Sequence, residues 1–256
     1  NSAINLNCDG ATSLEDTFHN CTSLQSITLS NTNLIENMTN TFRNCSELIS
    51  TIDLNCLSCT KFTNAFSECS KITTINLSNT QNIDSFENSF FNCSLLNSNI
   101  TLNCANSLSL RFTFANCSAI TNVELLNTNL VRDMNSTFIN CTNLNSTINL
   151  NCSASLTLYR TFLNCSSIQT INVSNTNTVL NMNSTFENCF VLSSAITLNC
   201  RDCLSLDSAF KRCNQITTIN ISNTENVANM ESTFEDCFIL SSNLELQCDD
   251  CLTLTN

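Results

Sequence analysis

The chain of 256 residues has no proline and a single glycine, Gly10. Those two residues normally punctuate turns, so asparagine must occupy the left-handed backbone positions here, being the non-glycine residue that tolerates them best. Glycine scarcity also argues against phosphate-cradling loops and strained nucleophile elbows, and no HExxH string occurs. Charge is scarce too: only 12% of residues are Asp, Glu, Lys or Arg, so Asn, Ser and Thr must cover most of the surface. The nine basic residues are scattered along a chain of net charge -12, which leaves no electrostatic footprint for nucleic acid or for an anionic membrane surface. No apolar run reaches about 18 residues, so no membrane insertion is expected, and no leader pattern lies within the segment.

What is present is a repeat. Phe18, Phe42, Phe66, Phe90, Phe114, Phe138, Phe162, Phe186, Phe210 and Phe234 stand 24 residues apart without a slip, each followed three residues later by cysteine. A fixed period of this size means that one supersecondary unit cannot bury its apolar face alone and must stack on its neighbours. Ahead of each Phe an apolar-polar-apolar run, such as Ile75-Asn76-Leu77 or Ile171-Asn172-Val173, reads as a half-buried strand. Spacings of four, three and three in Met38, Phe42, Cys45 and Leu48 then read as one face of a short helix. Asn20, Asn44, Asn92, Asn116, Asn140, Asn164 and Asn188, two residues after the Phe, read as left-handed residues ending that helix.

The expected fold is therefore an α/β repeat solenoid resembling leucine-rich repeats: coils of about 24 residues, one parallel sheet backed by short helices, and Phe and Cys ladders in the core. Crossovers should be right-handed. Strand starts at Ile4, Ile27, Ile52, Ile75 and Ile100 alternate in spacing, so two coil types make a 48-residue double repeat. Residues 1–256 read as one uncapped solenoid of ten coils and a partial eleventh, a segment of a longer array. Its open ends point to end-to-end self-stacking as the first partner expectation.

Leu77-Ser78-Asn79-Thr80 leading to Phe90-Phe91-Asn92-Cys93, and Asn226-Val227-Ala228-Asn229-Met230 leading to Phe234, resemble the BspA-like bacterial-surface-protein repeats over nearly the whole chain. The family pattern runs L-x-L-S-N, V-x-N-M, then M-F-x-x-C-x-x-L. Here Thr or Ala usually replaces the Met before the Phe, and the turn glycines are missing. The resemblance implies an extracellular or cell-surface location and contact with a host or matrix protein or glycan.

Nineteen cysteines leave two readings open, a buried ladder of free thiols or several disulfides between coils. The CxxC pairs Cys56/Cys59, Cys200/Cys203 and Cys248/Cys251 lie too far apart along the stack for four thiolates to meet at one zinc. No metal, cofactor or catalytic residue is assigned, and an enzyme is not expected. His19 is a lone histidine, and Asp53, Glu124 and Glu245 lie several coils apart. The sequons at Asn20, Asn44, Asn92, Asn116, Asn140 and Asn164 are candidate glycosylation sites, though a chain rich in Asn, Ser and Thr also forms such triplets by chance. The outward strand face presents Thr28, Ser30, Asn55, Asn76, Ser78, Thr101, Asn103, Asn149, Asn172, Thr197 and Asn220 as the candidate contact face. The functional expectation is a structural or adhesive rod or filament outside the cell. The alternative is a module that binds ice or carbohydrate through those hydroxyl and amide ladders.

Overall fold

A computed structural model of the protein describes residues 3–241 and Leu246. The expected strand at Leu244-Glu245-Leu246, the last CxxC pair and the partial eleventh coil fall outside the described residues, apart from Leu246 itself. Coils are numbered here by their ladder phenylalanine, coil 1 holding Phe18 and coil 10 Phe234.

Each described coil begins with a four-residue strand: β1 Ile4–Asn7, β2 Ile27–Ser30, β3 Ile52–Asn55, β4 Ile75–Ser78, β5 Ile100–Asn103, β6 Val123–Leu126, β7 Ile148–Asn151, β8 Ile171–Ser174, β9 Ile196–Asn199 and β10 Ile219–Ser222. Apart from Leu126, which faces outward in β6, their apolar residues point inward and their polar ones outward, the alternation a two-residue side-chain period requires. In even coils 2, 4, 6 and 8 a left-handed Asn, such as Asn79 at φ 58°, turns the strand into one 3₁₀ turn.

The single continuous sheet expected from the sequence is instead a set of two-stranded parallel ladders: β1 with β2, β3 with β4, β5 with β6, β7 with β8, and β9 with β10. Between the pairs, hydroxyl groups replace backbone partners. Ile75 N–H donates to Ser98 Oγ, which donates back to Ile75 O, both at 3.1 Å. At the other strand end Asn103 N–H donates to Thr80 Oγ1 at 2.8 Å. The same arrangement recurs with Ser50 and Thr32, with Ser146 and Thr128, and with Ser194 and Thr176. The longer strand-to-strand step inserts residues at this junction, and the Ser or Thr oxygens satisfy buried amides that would otherwise be orphaned. This seam is the physical form of the 48-residue unit.

The Phe-bearing segment is not helical. It is a run of overlapping tight turns, in which Thr17 N–H meets Leu14 O at 3.1 Å, His19 N–H meets Asp16 O at 3.2 Å and Cys21 N–H meets Phe18 O at 3.0 Å. The intervening amides of Leu14, Asp16, Phe18 and Asn20 donate across to Asn37, Thr39, Thr41 and Arg43 of the next coil. Left-handed residues two before and two after the Phe, Asn40 at φ 53° and Asn44 at φ 62° for example, make each turn possible. All seven asparagines expected to be left-handed are so, but as third residues of turns rather than helix ends. Turns of this period place residues on one side at nearly helical spacing, which is why the pattern suggested a helix. An α-helix, about 10 Å wide, also cannot stack at the 5.1–6.0 Å separating the ladder rings.

The core is a spine. Every ring from Phe42 through Phe210 is fully buried and lies stacked on the next, with Phe114 and Phe138 5.5 Å apart and only 3° from parallel. Beside it runs the cysteine ladder. All seventeen cysteines among the described residues are free thiols, and each FxxC thiol from Cys45 on donates to the carbonyl of the preceding coil's Phe, as Cys117 does to Phe90 O at 3.0 Å. The residue before the Phe plays a parallel part: Thr137 Oγ1 contacts both Leu110 O and Met134 O, at 3.0 and 2.9 Å.

Candidate functional surface

The outward strand residues are brought together as expected by the alternation. Thr28, Ser30, Asn55, Asn76, Ser78, Thr101, Asn149, Asn172, Thr197 and Asn220 are exposed, while Asn103 is half-buried. They do not form an unbroken lattice. Asn76 Nδ2 donates to Asp53 Oδ1 at 2.7 Å, Asn172 Nδ2 to Asn149 Oδ1 at 2.8 Å, Thr101 Oγ1 to Glu124 Oε2 at 3.2 Å, and Asn220 Nδ2 to Thr197 Oγ1 at 3.4 Å. Each couple lies within one double repeat. A second row is coupled the same way, Asn79 to Asn55 and Asn127 to Asn103, both at 2.9 Å.

The seams open this face into shallow grooves. One of about 450 Å³ lies across β2, β3 and β4, floored by Leu29, Leu54 and Leu77 and rimmed by Asn31, Asp53 and Asn76. Its counterpart two double repeats further on, about 430 Å³, lies across β6, β7 and β8, with Leu125, Leu150 and Val173 as floor and Glu124, Asn149 and Asn172 as rim. Polar groups that fix orientation around an apolar floor are the ordinary makings of a recognition site.

The sequon asparagines occupy a different ladder. Asn116 Nδ2 donates to Asn92 Oδ1 at 2.6 Å, Asn140 to Asn116 and Asn164 to Asn140 at 2.7 Å, and Asn44 to Asn20 at 2.9 Å. Asn92 meets Glu68 instead, and Asn188 Oδ1 has no donor because Arg212 stands where the next Asn would. The acceptor nitrogen of each sequon from Asn44 on is thus engaged and half-buried.

Acid-base and thiol chemistry stay apart from these surfaces. His19 Nδ1 is 3.3 Å from Asp16 Oδ1 at the solvent edge. Burial pushes the Cys104 and Cys152 thiols up to about 12 and the thiol of Cys237 up to about 11, the opposite of what a nucleophile or metal ligand needs. Cys56 and Cys200 are held above the ordinary thiol range, first by hydrogen bonding to Cys59 and Cys203 and then by burial. Among the described residues no three or more His, Cys, Asp or Glu side chains converge as a metal site would require, and no helix is long and apolar enough to cross a membrane.

Parallel strands joined by tight turns around stacked apolar ladders define a leucine-rich-repeat-like parallel solenoid. Residues 12–119, 107–198 and 156–248 each match the family described as "Mycoplasma protein of unknown function, DUF285", and the chain belongs to that family. No curated protein matches it. Among solved structures it is similar to a leucine-rich cell surface protein from Faecalibacterium prausnitzii A2-165, at 16% identity over 96% of this chain and 83% of that one, with a TM-score of 0.43. A TLR13–ssRNA13 complex is similar over 95% of this chain and 53% of the other, at 10% identity and a TM-score of 0.25.

Proposed function

We propose that this chain is a non-enzymatic contact scaffold of the cell surface, of the BspA-like adhesive kind. The observation that carries the reading is the outward strand face, where exposed amides and hydroxyls are held in fixed couples above grooves that recur at the same place in the double repeat. Side chains held by one another lose less freedom on binding, so such a face is pre-organised for a repetitive protein or glycan surface. Under the same reading, copies continue one another's backbone ladder into filaments.

Two measurements test it. Protease shaving and antibody labelling of intact cells that carry the protein should reach it, and labelling only after lysis would remove the surface assignment. Purified protein should bind an extracellular-matrix or glycan array, and Asn149→Ala with Asn172→Ala should lower that binding without changing the fold. Thermal hysteresis in place of array binding would favour the ice-binding alternative, and microscopy without fibres would remove the filament.

A further inference from the structure

Three of the six arginines stand in successive coils of the stack. Residues 88–186 hold three arginines, Arg111, Arg132 and Arg160, against two carboxylates, Glu124 and Asp133, in a chain whose overall charge is -12. They fall in three successive coils, 5, 6 and 7, all between two and six residues ahead of the ladder Phe and so on one edge of the coil, away from the strand face. Lys61, Lys71, Arg201, Lys211 and Arg212 each have a carboxylate partner within the chain. Arg43, Arg111, Arg132 and Arg160 have none among the described residues, and the last three are the ones that stand in successive coils. Two of these three lie over aromatic rings instead, Arg160 4.7 Å from the ring centre of Tyr159 and Arg111 5.3 Å from that of Phe112.

The same edge is apolar where it should be polar. The position six residues before the ladder Phe stacks Leu108, Arg132, Leu156, Leu180 and Leu204 through successive 2.9 Å amide bonds, Arg132 to Leu108 O and Leu156 to Arg132 O among them. The leucines are 42–55% exposed. Asp84, next in the stack, is occupied by Lys61. Four coil steps of about 4.8 Å make the stripe roughly 19 Å long.

We propose that this edge of coils 5–9 is a docking surface for a protein segment carrying carboxylates beside apolar side chains. Arginine matches a carboxylate with a planar two-pronged fork, and stacking on Tyr159 and Phe112 holds the guanidinium flat with its N–H edges turned to the partner. Arginine and tyrosine are the residues in which binding energy concentrates. The leucine stripe supplies the water-excluding contact a polyanion alone would not use. Glu87 in coil 4 and Asp207 in coil 9 occupy the position Arg111 holds in coil 5 and so bound the arginine window, and screening beyond about 8 Å at physiological salt keeps more distant carboxylates from cancelling it. The proposal does not depend on the strand face.

Display of a random short-peptide library against the purified full chain tests it. Enriched peptides should carry Asp or Glu interspersed with Leu, Ile or Phe. Their affinity should fall roughly tenfold or more in the triple variant R111Q/R132Q/R160Q and also in L156S/L180S, weaken with salt, and stay unchanged in N149A/N172A. All these side chains are exposed or half-buried, and circular dichroism and the denaturation midpoint check that each variant folds. Failure to enrich peptides over the triple variant, or enrichment without acidic residues, overturns the proposal. Heparin oligosaccharide binding lost in the arginine variant yet kept in L156S/L180S would identify a sulfated polyanion instead. Sedimentation showing self-association abolished by R111Q/R132Q/R160Q would assign the edge to a second copy of the chain. Either result overturns the proposal.

Discussion

The Cys141 thiol donates to the carbonyl oxygen of Phe114, one coil back, at 3.0 Å, and that oxygen also accepts the amide of Cys117. The cysteine ladder is therefore a set of donors that saturate a buried carbonyl, not just small apolar filler. Cys141→Ala removes the donor together with a single heavy atom, and it should cost about 1 kcal/mol by urea denaturation. A midpoint equal to wild type would leave the thiol's hydrogen bond no stabilising role.

Burial of those thiols sets a pH dependence. Unfolded cysteines ionise near their ordinary value, while Cys104 and Cys152 in the fold resist ionisation until about 12. Between those values the folded state holds more protons, so stability is complete below about pH 8.5 and falls as pH rises toward 12. Denaturation midpoints across that range, read beside thiolate absorbance, check the sign; a rise in stability with alkaline pH would contradict it.

Phe138 is fully buried between Phe114 and Phe162, its ring 5.5 and 5.4 Å from theirs. Phe138→Ala should cost about 3–5 kcal/mol. Asn149→Ala on the strand face should stay within about 0.5 kcal/mol. Equal midpoints for the two would remove the spine from its structural role.

The spine, the cysteines and the two-coil alternation were legible because each is a matter of spacing, and spacing survives whatever backbone carries it. The helix was not, since Met38, Phe42 and Cys45 have the same separations in a run of tight turns as on a helix face. What distinguishes them is backbone sign, visible only indirectly in Asn40 and Asn44 four residues apart. Inward and outward strand residues were readable from alternation, whereas their coupling across coils, Asn76 to Asp53 for instance, depends on register. The arginine edge escaped notice because charge was counted over the whole chain. A count along a sliding window would have found residues 88–186.

Ser208 occupies a left-handed position, φ 55°, that Asn40, Asn64 and Asn88 fill in earlier coils. Ser208→Asn should raise stability by about 0.5–1 kcal/mol, and Ser208→Val should lower it by about 1–2 kcal/mol. Thermal midpoints moving the other way would contradict the turn geometry.

Thr128 Oγ1 takes the amide of Asn151 at 2.8 Å and donates to its carbonyl at 3.2 Å, closing one seam. Thr128→Val leaves that amide without a partner and should cost about 1–3 kcal/mol. Hydrogen exchange should show the Asn151 amide opening ahead of its neighbours in the variant, and unchanged exchange there would mean the hydroxyl is not holding the strands together.

The seam also bears on how such a chain can change length. Removing one coil by recombination between repeats would set two coils of the same kind against each other, with a Ser and Thr hydroxyl pair missing at one junction or crowding a regular ladder at another. Removing two coils restores the original junction. Natural length variants should accordingly differ by multiples of 48 residues, so the gene's smallest heritable increment is the double repeat and not the single phenylalanine period.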